Sequence, residues 1–291
     1  MLPLNKFETM NQENLKITVT KHTGEKVIYE PGKLQKALFQ AGANSDQIKA
    51  VQQEVENRMV DGMSTKKIYQ TAYRILKKLS SKTAGRYRLK QAVLEMGPSG
   101  YPFEKLIGKL FEFKGYSAEV GKVVQGKCVS HEVDVIAKNE TEQIMVECKF
   151  HRDPGYKSNV KIPLYIHSRF LDVESAWKIT PGLENLHFTG MVATNTRFTE
   201  DAITYGRCAG LRLLSWDYPE GDSLKNWIDQ SGFHPITSLS SLKKSHKQKL
   251  LENNVVLCRE LSDNKEELIK LGMKPDQIAR VLKEAATLVS Q

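Results

Sequence analysis

One predicted hairpin decides the fold of this chain: it pairs Glu132-Val133-Asp134-Val135-Ile136 with Ile144-Met145-Val146-Glu147-Cys148-Lys149-Phe150. Side chains alternate along a strand, so Glu147 and Lys149 project from one face while their apolar neighbours form a core-like set on the other. Asp134 interrupts the apolar first strand and reaches the same face if the two strands pair in the right register. We therefore expect two carboxylates and an ammonium group beside one another on a largely buried hairpin.

The charges on this hairpin favour a particular chemistry. Burying carboxylates and an ammonium group costs free energy unless they pair or bind a cation. Carboxylate oxygens suit Mg²⁺, a bound metal neutralises a scissile phosphate, and a neighbouring lysine orients the attacking water. Asp134, Glu147 and Lys149 therefore predict metal-assisted hydrolysis of a phosphodiester, with Mg²⁺ or Mn²⁺ held by the two carboxylates. A structural salt bridge is the alternative, because Glu-x-Lys on a strand is usually that.

The segments around the hairpin predict an α/β unit. An amphipathic helix comes first, because Phe103, Ile107, Leu110 and Phe111 share one face. Alternation and helical spacing then indicate strands near 116–120, 131–137 and 144–150, a helix near 164–178, a strand at 189–193, a helix at 199–208 and a strand at 211–215. This order favours a mixed sheet flanked by helices.

Several spaced motifs in this unit carry a family resemblance. Asp134 precedes the Glu147-Cys148-Lys149 motif by a gap of twelve residues, and the segments Phe103-Glu104 and Lys114-Gly115-Tyr116 lie upstream. This arrangement resembles the PD-(D/E)xK nucleases over about residues 101–219. It is most similar to the Mrr-like catalytic domain of type IV restriction endonucleases. This chain has Glu147 where many Mrr-like members have Gln, and an added carboxylate strengthens a metal site.

The resemblance implies a restriction-endonuclease-like fold, DNA as the partner and a Mg²⁺-dependent endodeoxyribonuclease of a restriction or antiviral defence system. It implies that Glu104 assists metal binding, that Asp134 and Glu147 are the metal ligands, and that Lys149 is catalytic. Four residues lie close by in sequence and are candidates for substrate contact, although such surface residues are usually only solvated: His131, His151, Arg169 and Asp172.

Residues 16–96 predict a mostly helical domain behind a short hairpin. Strands at 17–20 and 27–29 flank a turn, and helices are indicated at 33–40, 45–59 and 64–79, the last two with Ser at their starts. Three segments, at 19–24, 31–38 and 61–69, resemble the ATP-cone domain of ribonucleotide reductase large subunits and of the reductase repressor. The resemblance implies ATP or dATP as an effector, contacted by Val19, Lys21, His22, Lys33, Thr65 and Tyr69.

The distribution of charge leaves an alternative open for this domain. The chain carries 43 Lys and Arg against 34 Asp and Glu, a formal charge of +9. Nine basic residues and no acidic one lie between Lys66 and Leu94, and phosphate is the natural counterion of such a run. The domain is then an ordinary helical unit whose basic face binds DNA directly, with or without a nucleotide.

The sequence predicts a tail at 1–15, domains at 16–96 and 101–230, and a last segment at 237–291. The last segment is predicted to be a small helical module. Helices are indicated at 242–251, 258–261, 264–271 and 275–288. The turn Leu271-Gly272-Met273-Lys274 is similar to helix-hairpin-helix or SAM-like modules, in which a glycine turn brings backbone N–H groups to a DNA phosphate. A plain helical core is the alternative. Breakers at Gly97–Pro102 and Ser231–Pro235 mark the domain boundaries.

Composition excludes several other classes. No apolar stretch is long enough to span a membrane, and residues 1–16 lack an apolar signal core, so we expect a cytoplasmic protein without a membrane partner. The four cysteines form no Cys-x-x-Cys pair, which argues against a disulfide framework or a zinc knuckle. The stretch Gly121–Cys128 fits the P-loop spacing, but it ends in Cys and runs into a predicted strand, so it is a chance match.

The interpretation at this point is a Mg²⁺-dependent endonuclease regulated by ATP or dATP. One such site cuts one strand, so double-strand cleavage predicts a homodimer or a higher homo-oligomer. Two alternatives remain. The first is a nucleotide-responsive DNA-binding regulator with an inactive nuclease fold, and the second is a repair or recombination nuclease that acts on branched DNA.

Overall fold

The computed structural model describes residues 17–289, so the expected tail at 1–15 lies outside the described residues. Contacts within the chain divide it into two compact units, with the division between Leu76 and Lys77. We call residues 17–76 the first unit and residues 77–289 the second unit. The expected boundaries near Gly97 and Ser231 differ from this division.

The first unit is a small three-stranded sheet with three helices. Its strands are β1 (Thr18–Thr20), β2 (Lys26–Ile28) and β3 (Met63–Ser64), in the order β2-β1-β3. β1 pairs antiparallel with β2 and parallel with β3. The helices are α1 (Pro31–Gln40), α2 (Ser45–Asn57) and α3 (Thr65–Leu79), the last of which runs into the second unit.

The starts of α2 and α3 show how local chemistry fixes these helices. Asn44, and not the expected Ser45, caps α2: its side chain accepts the N–H of Gln47, and the Gln47 side chain accepts the N–H of Asn44. Ser64 accepts the N–H of Lys67 at the start of α3, as predicted. The apolar stripes behind these caps are buried and form the core of the first unit: Val19, Leu34, Leu38, Ile48, Val51, Val55, Met63, Ile68, Ala72 and Leu76.

The second unit is built on a five-stranded mixed sheet, as the sequence predicts. The strands are β4 (Ser117–Gln125), β5 (Ser130–Lys138), β6 (Glu142–Lys149), β8 (His187–Thr194) and β10 (Arg212–Leu214), in the order β10-β8-β6-β5-β4. Pairing is antiparallel from β4 to β6 and parallel from β6 to β10. The short strands β7 (Lys157–Ser158) and β9 (Arg197–Phe198) pair separately.

Helices cover both faces of this sheet. On one face, α6 (Tyr101–Phe113) packs Phe103 and Ile107 in a core shared with Val146 and Cys148 of β6. On the other face, α7 (Lys161–Trp177) packs in a second core with Met145 and Val192. The remaining helices are α4 (Ser81–Tyr87), α5 (Leu89–Leu94), α8 (Glu200–Cys208), α9 (Leu224–Ser231), α10 (Lys244–Glu252), α11 (Lys265–Lys270), α12 (Pro275–Val289) and the 3₁₀ turns Ile236–Ser238 and Cys258–Leu261.

The helices at both ends of the second unit share the core of the sheet. Side chains from α5, from α12 and from the 3₁₀ turn at Cys258–Leu261 lie in the same apolar cluster as Phe103. The Thr237 hydroxyl donates to the Ala92 carbonyl at 2.6 Å, and a Cβ at Gly85 would lie 2.6 Å from the Leu288 side chain. Segments that the breakers separate in sequence are therefore packed together, which explains why the expected boundaries differ from the structure.

Two features, a membrane-spanning helix and a P-loop, can be sought among residues 17–289. Among these residues the structure contains no helix that is long and apolar enough to cross a membrane. The P-loop-like stretch begins inside β4 and ends in the turn before β5, with no helix after it. It therefore cannot present a helix N-terminus to a phosphate, as expected for a chance match.

Candidate active site

The hairpin of β5 and β6 brings Asp134 beside Glu147. The ladder between these strands pairs Lys138 with Gln143 and ends with Val135 opposite Val146. The next position in this register places Asp134 across from Glu147, at the point where the ladder stops. There the Asp134 side chain takes the place of a backbone acceptor: its Oδ2 accepts the N–H of Cys148 at 2.7 Å.

Glu147 lies at the centre of a buried ionic cluster. Its Oε1 accepts from Lys149 Nζ at 2.6 Å, and its Oε2 accepts from Arg169 Nη1 at 2.7 Å. The side chain of Glu147 is only 7% exposed, and that of Arg169 is 13% exposed. Both carboxylate oxygens are thus fixed by charged donors where water screens them little, so the orientation of Glu147 is set by its neighbours.

Arg169 enters this cluster from α7. A second guanidinium nitrogen donates to the backbone carbonyl of Glu132, and the guanidinium lies 5.6 Å from the centre of the Tyr165 ring. Its planar, forked donors therefore connect a site carboxylate to the preceding strand. The sequence singles out Arg169 as a substrate contact; the structure instead ties it to Glu147.

The surroundings of Glu104 and Asp134 disfavour the charged form of both carboxyl groups. Burial raises the pKa of Asp134 to about 6, with the Glu147 carboxylate as the next cause. Burial also raises the pKa of Glu104 to about 7, and the carboxylates of Asp134, Glu132 and Glu147 add to the effect. A Cβ at Gly100 would lie 3.1 Å from Glu104 Oε1, so the Glu104 carboxyl group would have to shift slightly to accept a larger residue there.

The carboxylate oxygens of the cluster fit a hard divalent cation whose coordination is completed by waters and substrate phosphates. The charges of Glu132, Asp134 and Glu147 raise the pKa of Glu104, and that of Glu147 also raises the pKa of Asp134. The cations Lys149 and Arg169 act in the opposite direction on Asp134. Between residues 17 and 289 no group of three or more His, Cys, Asp or Glu side chains is arranged to hold a metal ion by itself. Mg²⁺ usually takes one or two carboxylates together with waters and substrate phosphates, so a complete protein cage is not required.

A buried polar turn after β8 holds the end of β6. Thr194 Oγ1 donates to the Lys149 carbonyl at 2.7 Å. Asn195 accepts the N–H of His151 at 2.8 Å and donates to its carbonyl at 2.7 Å, while being fully buried. This support is not expected from the sequence, because the predicted strand stops at Ala193. The available signal was the polar run Thr194-Asn195-Thr196 directly after an apolar strand.

Asp172 and its partners build the turn between β4 and β5. Asp172 accepts the N–H groups of Cys128 and Val129 at 2.8 and 3.3 Å, and it lies 2.8 Å from His131 Nε2. The His131 hydrogen bond is the main cause that lowers the pKa of Asp172 to about 2. These contacts give Asp172 and His131 a structural role. His151 lies beyond Lys149, with its ring stacked on Tyr156 at 3.9 Å between centroids.

Some of the residues expected to contact a nucleotide lie at one edge of the first unit. β1 and β3 are parallel with Thr20 opposite Ser64, so Lys21 and Thr65 follow at the same end of neighbouring strands. Val19 is buried, and His22 is exposed in the turn after β1. Lys21 and Lys33 make exposed ion pairs with Glu25 and Glu30 at 2.9 and 2.8 Å, and Tyr69 lies one turn after Thr65 on α3. Nucleotide binding stays a prediction.

The turn between α11 and α12 has its amides engaged. Gly272 has a φ of 72°, which suits the glycine turn that the sequence predicts. The four N–H groups from Leu271 to Lys274 donate to the carbonyls of Glu267, Ile269 and Leu268 and to Gln277 Oε1. A phosphate could bind these amides only by breaking those bonds, so the structure favours the plain helical core.

Two family matches cover parts of the second unit. Residues 96–163 match a family described as restriction endonuclease, and this span contains Glu104, Asp134, Glu147 and Lys149. The match and the mixed sheet support the predicted restriction-endonuclease-like fold. Residues 234–289 match a family described as AF1548-like, C-terminal. Neither match covers more than residue 96 of the expected ATP-cone domain, which remains an interpretation.

Individual relatives extend these matches. An uncharacterised protein of Archaeoglobus fulgidus is 33% identical over 184 residues, which span 63% of this chain and 99% of the relative. The crystal structure of AF1548, a protein of unknown function, is 31% identical, with a TM-score of 0.54 over 66% of this chain and 98% of that one. The restriction endonuclease MspJI in complex with a 27-mer oligonucleotide is 12% identical, with a TM-score of 0.28 over 47% of this chain and 30% of its own. The chain belongs to the family of AF1548-like proteins.

Proposed function

We propose that this protein is a metal-dependent endonuclease that hydrolyses phosphodiester bonds of DNA at Asp134, Glu147 and Lys149. The observation that carries the proposal is the end of the β5–β6 ladder, where Asp134 opposes Glu147 and Lys149 lies 2.6 Å from Glu147. A purely structural salt bridge would need only one carboxylate for each cation. The surplus carboxylates of Asp134 and Glu104 are what a phosphodiesterase metal site requires.

Each residue has a role that follows from its position. Asp134 and Glu147 would hold Mg²⁺ or Mn²⁺, and the ion would neutralise charge on the scissile phosphate. Lys149, whose ammonium is free to donate beyond Glu147, orients the attacking water. Glu104, whose carboxyl group is influenced by the charges of Asp134 and Glu147, would assist metal binding. Arg169 keeps Glu147 in one orientation.

A plasmid assay tests the proposal. The full chain is incubated with supercoiled DNA, modified or unmodified, with Mg²⁺ or with EDTA. We expect nicked or linear product only with Mg²⁺, because the surplus carboxylates need a cation before the phosphate can approach. Preference for modified DNA would support a defence role against foreign DNA, whereas preference for branched substrates would support repair. Unchanged DNA in every arm would favour the DNA-binding regulator with an inactive nuclease fold.

Arg169→Met is expected to lower kcat about 10- to 100-fold, because a carboxylate displaced by about 1 Å can cost two orders of magnitude. KM should stay within about threefold, since Arg169 acts through Glu147. Arg169→Lys should restore part of kcat by supplying one charged donor. Steady-state cleavage of a labelled duplex measures both constants, and Arg197→Met, at an exposed ion pair with Asp217, is the matched control. A raised KM with unchanged kcat would make Arg169 a substrate contact instead.

We further propose that ATP or dATP binds the first unit at Lys21, His22, Lys33 and Thr65 and regulates cleavage. Coupling between two sites is typically about 1 to 3 kcal/mol, or roughly 5- to 150-fold in affinity, and is reciprocal for binding. Lys21→Ala combined with Thr65→Ala should remove this coupling and leave metal binding unchanged, with Lys49→Ala as the control. Calorimetric titration of ATP and dATP, with and without DNA, measures it. Absence of binding at millimolar nucleotide would contradict regulation.

Cleavage of both strands would need two copies of the site. We propose a symmetric homodimer as the simplest arrangement, because a two-fold axis matches the two antiparallel strands of a duplex. Light scattering with and without DNA measures the assembly. A strict monomer that makes concerted double-strand breaks would contradict this part of the proposal.

A further inference from the structure

A basic cleft lies on the first unit, beside the exposed side of α3. It has a volume of about 430 Å³. Four of its lining side chains are cationic, one from the end of α2 and three from α3, and the others are polar or buried: Arg58, Met63, Ser64, Lys66, Lys67, Gln70, Thr71 and Arg74. No lining residue is acidic. We call this feature the basic cleft.

The residues that line the basic cleft are different from those expected to bind a nucleotide. Successive residues of a helix are turned by about 100°, and α3 buries the stripe of Ile68, Ala72 and Leu76. Thr65 is in line with this stripe and Tyr69 lies at its edge, whereas Lys67 and Arg74 lie on the opposite side of the helix. None of the residues assigned to the nucleotide lines the basic cleft.

The charges of the basic cleft are poorly compensated within the chain. Arg58 makes an ion pair with Glu54, one turn earlier on α2. In the part of the chain that the structure describes, Lys66, Lys67 and Arg74 form no ion pair, and all three are exposed. Like charges held close together on one surface repel, so the cleft favours an anionic ligand. The side chains of Gln70 and Thr71 add neutral donors of the kind that also bind phosphate oxygens.

The length of the cationic surface favours an extended polyanion over a single phosphate. Lys66 and Arg74 are eight residues apart, which corresponds to about 12 Å along the helix axis. One strand of duplex DNA advances by about 3.4 Å per phosphate, so this length matches several consecutive phosphates. The forked guanidinium group of Arg74 suits phosphate oxygens, the lysines serve as point charges, and Arg58 adds a cation at the edge of the cleft beside Glu54.

We propose that the basic cleft of Arg58, Lys66, Lys67 and Arg74 binds the phosphate backbone of DNA without reading its sequence. This inference rests on the proposed function, because it assigns the first unit a direct contact with the DNA substrate. Each phosphate neutralised by Lys or Arg releases condensed counterions, so such binding weakens steeply with salt. The first unit thus contributes affinity, and the hairpin of the second unit contributes chemistry.

The experiment compares two triple variants of the full chain with equal changes in charge. Lys66→Ala/Lys67→Ala/Arg74→Ala removes the cleft cations, and Lys26→Ala/Lys36→Ala/Lys49→Ala removes three other exposed lysines of the first unit. DNA affinity is measured by fluorescence anisotropy in EDTA, so that no cleavage interferes, at several salt concentrations. All six positions are exposed, and circular dichroism verifies that both variants fold.

The cleft variant should bind DNA about 10-fold or more weakly, and the slope of log affinity against log salt should fall by roughly 2.7, that is 0.9 for each lost phosphate contact. The control variant should keep the slope of the natural chain. Equal losses in both variants would show a diffuse charge effect and overturn the inference, as would unchanged binding in the cleft variant. Loss of ATP affinity with retained DNA affinity would assign the cleft to nucleotides and also overturn it. Failure of the proposed nuclease function would appear separately, as intact plasmid with Mg²⁺.

Discussion

Glu147→Gln is expected to lower the rate of DNA cleavage by about a thousandfold or more. The substitution keeps the size of the side chain but removes the charge that pairs with Lys149 and Arg169 at 2.6 and 2.7 Å. A metal-stabilised transition state loses several kcal/mol when a ligand is lost, and each 1.36 kcal/mol is a factor of ten in rate. Single-turnover cleavage of a labelled duplex in Mg²⁺ measures the effect.

Matched variants separate chemistry from folding and binding. Asp134→Asn should reduce cleavage as strongly as Glu147→Gln, and both should weaken Mn²⁺ binding. Lys149→Ala should abolish cleavage but retain Mn²⁺ binding. Glu119→Gln, at an exposed carboxylate of β4, is the control and should cut normally. A folded Glu147→Gln protein that cuts at the natural rate would remove Glu147 from the site.

Leu261→Ala is expected to destabilise the whole second unit by about 2 to 5 kcal/mol, the usual cost of a buried Leu to Ala change. Leu261 is fully buried in the 3₁₀ turn and belongs to the apolar cluster that contains Phe103 of α6. For a unit of this size, each kcal/mol lowers the melting temperature by about 2 to 4 °C. Thermal unfolding followed by circular dichroism gives the shift, and residual cleavage after heating shows whether the active site is lost in the same step.

Ile269→Ala supplies the control for this prediction. Ile269 is 57% exposed on α11, so its truncation should change the melting temperature little. If Leu261→Ala unfolded the C-terminal helices alone and left cleavage intact after heating, these helices would form an independent domain. The shared core would then not be the reason for the observed division of the chain.

The local part of the fold is predictable because it depends on short-range periodicity. The alternation at Val133–Val135 and Val146–Cys148 identifies two strands and the face of each side chain, and the structure has both strands within one or two residues. The helix over 103–111 follows from the spacing of its apolar residues in the same way. The proximity of Glu147 and Lys149 needs only this alternation.

Features that join distant segments could not be deduced from periodicity. Arg169 is 22 residues from Glu147, and its ion pair depends on how α7 crosses the sheet. Asn195 is 44 residues from His151 and reaches it only because β8 pairs parallel with β6. The boundary expected at Gly97 is a real break in secondary structure, yet Leu89 and Val93 before it pack into the same core as Phe103 after it. Breakers mark the ends of helices and strands and do not by themselves mark the ends of domains.

A metal titration of plasmid cleavage tests whether Asp134, Glu147 and Lys149 form a metal-dependent phosphodiesterase site. The full chain is incubated with supercoiled DNA while Mg²⁺ is raised from an EDTA baseline, and loss of supercoiled DNA is followed with time. We expect no cleavage in EDTA, a rate that rises and saturates with Mg²⁺, and no rise for Glu147→Gln. Cleavage in EDTA at the same rate as in Mg²⁺, or intact DNA at every Mg²⁺ concentration, would contradict it.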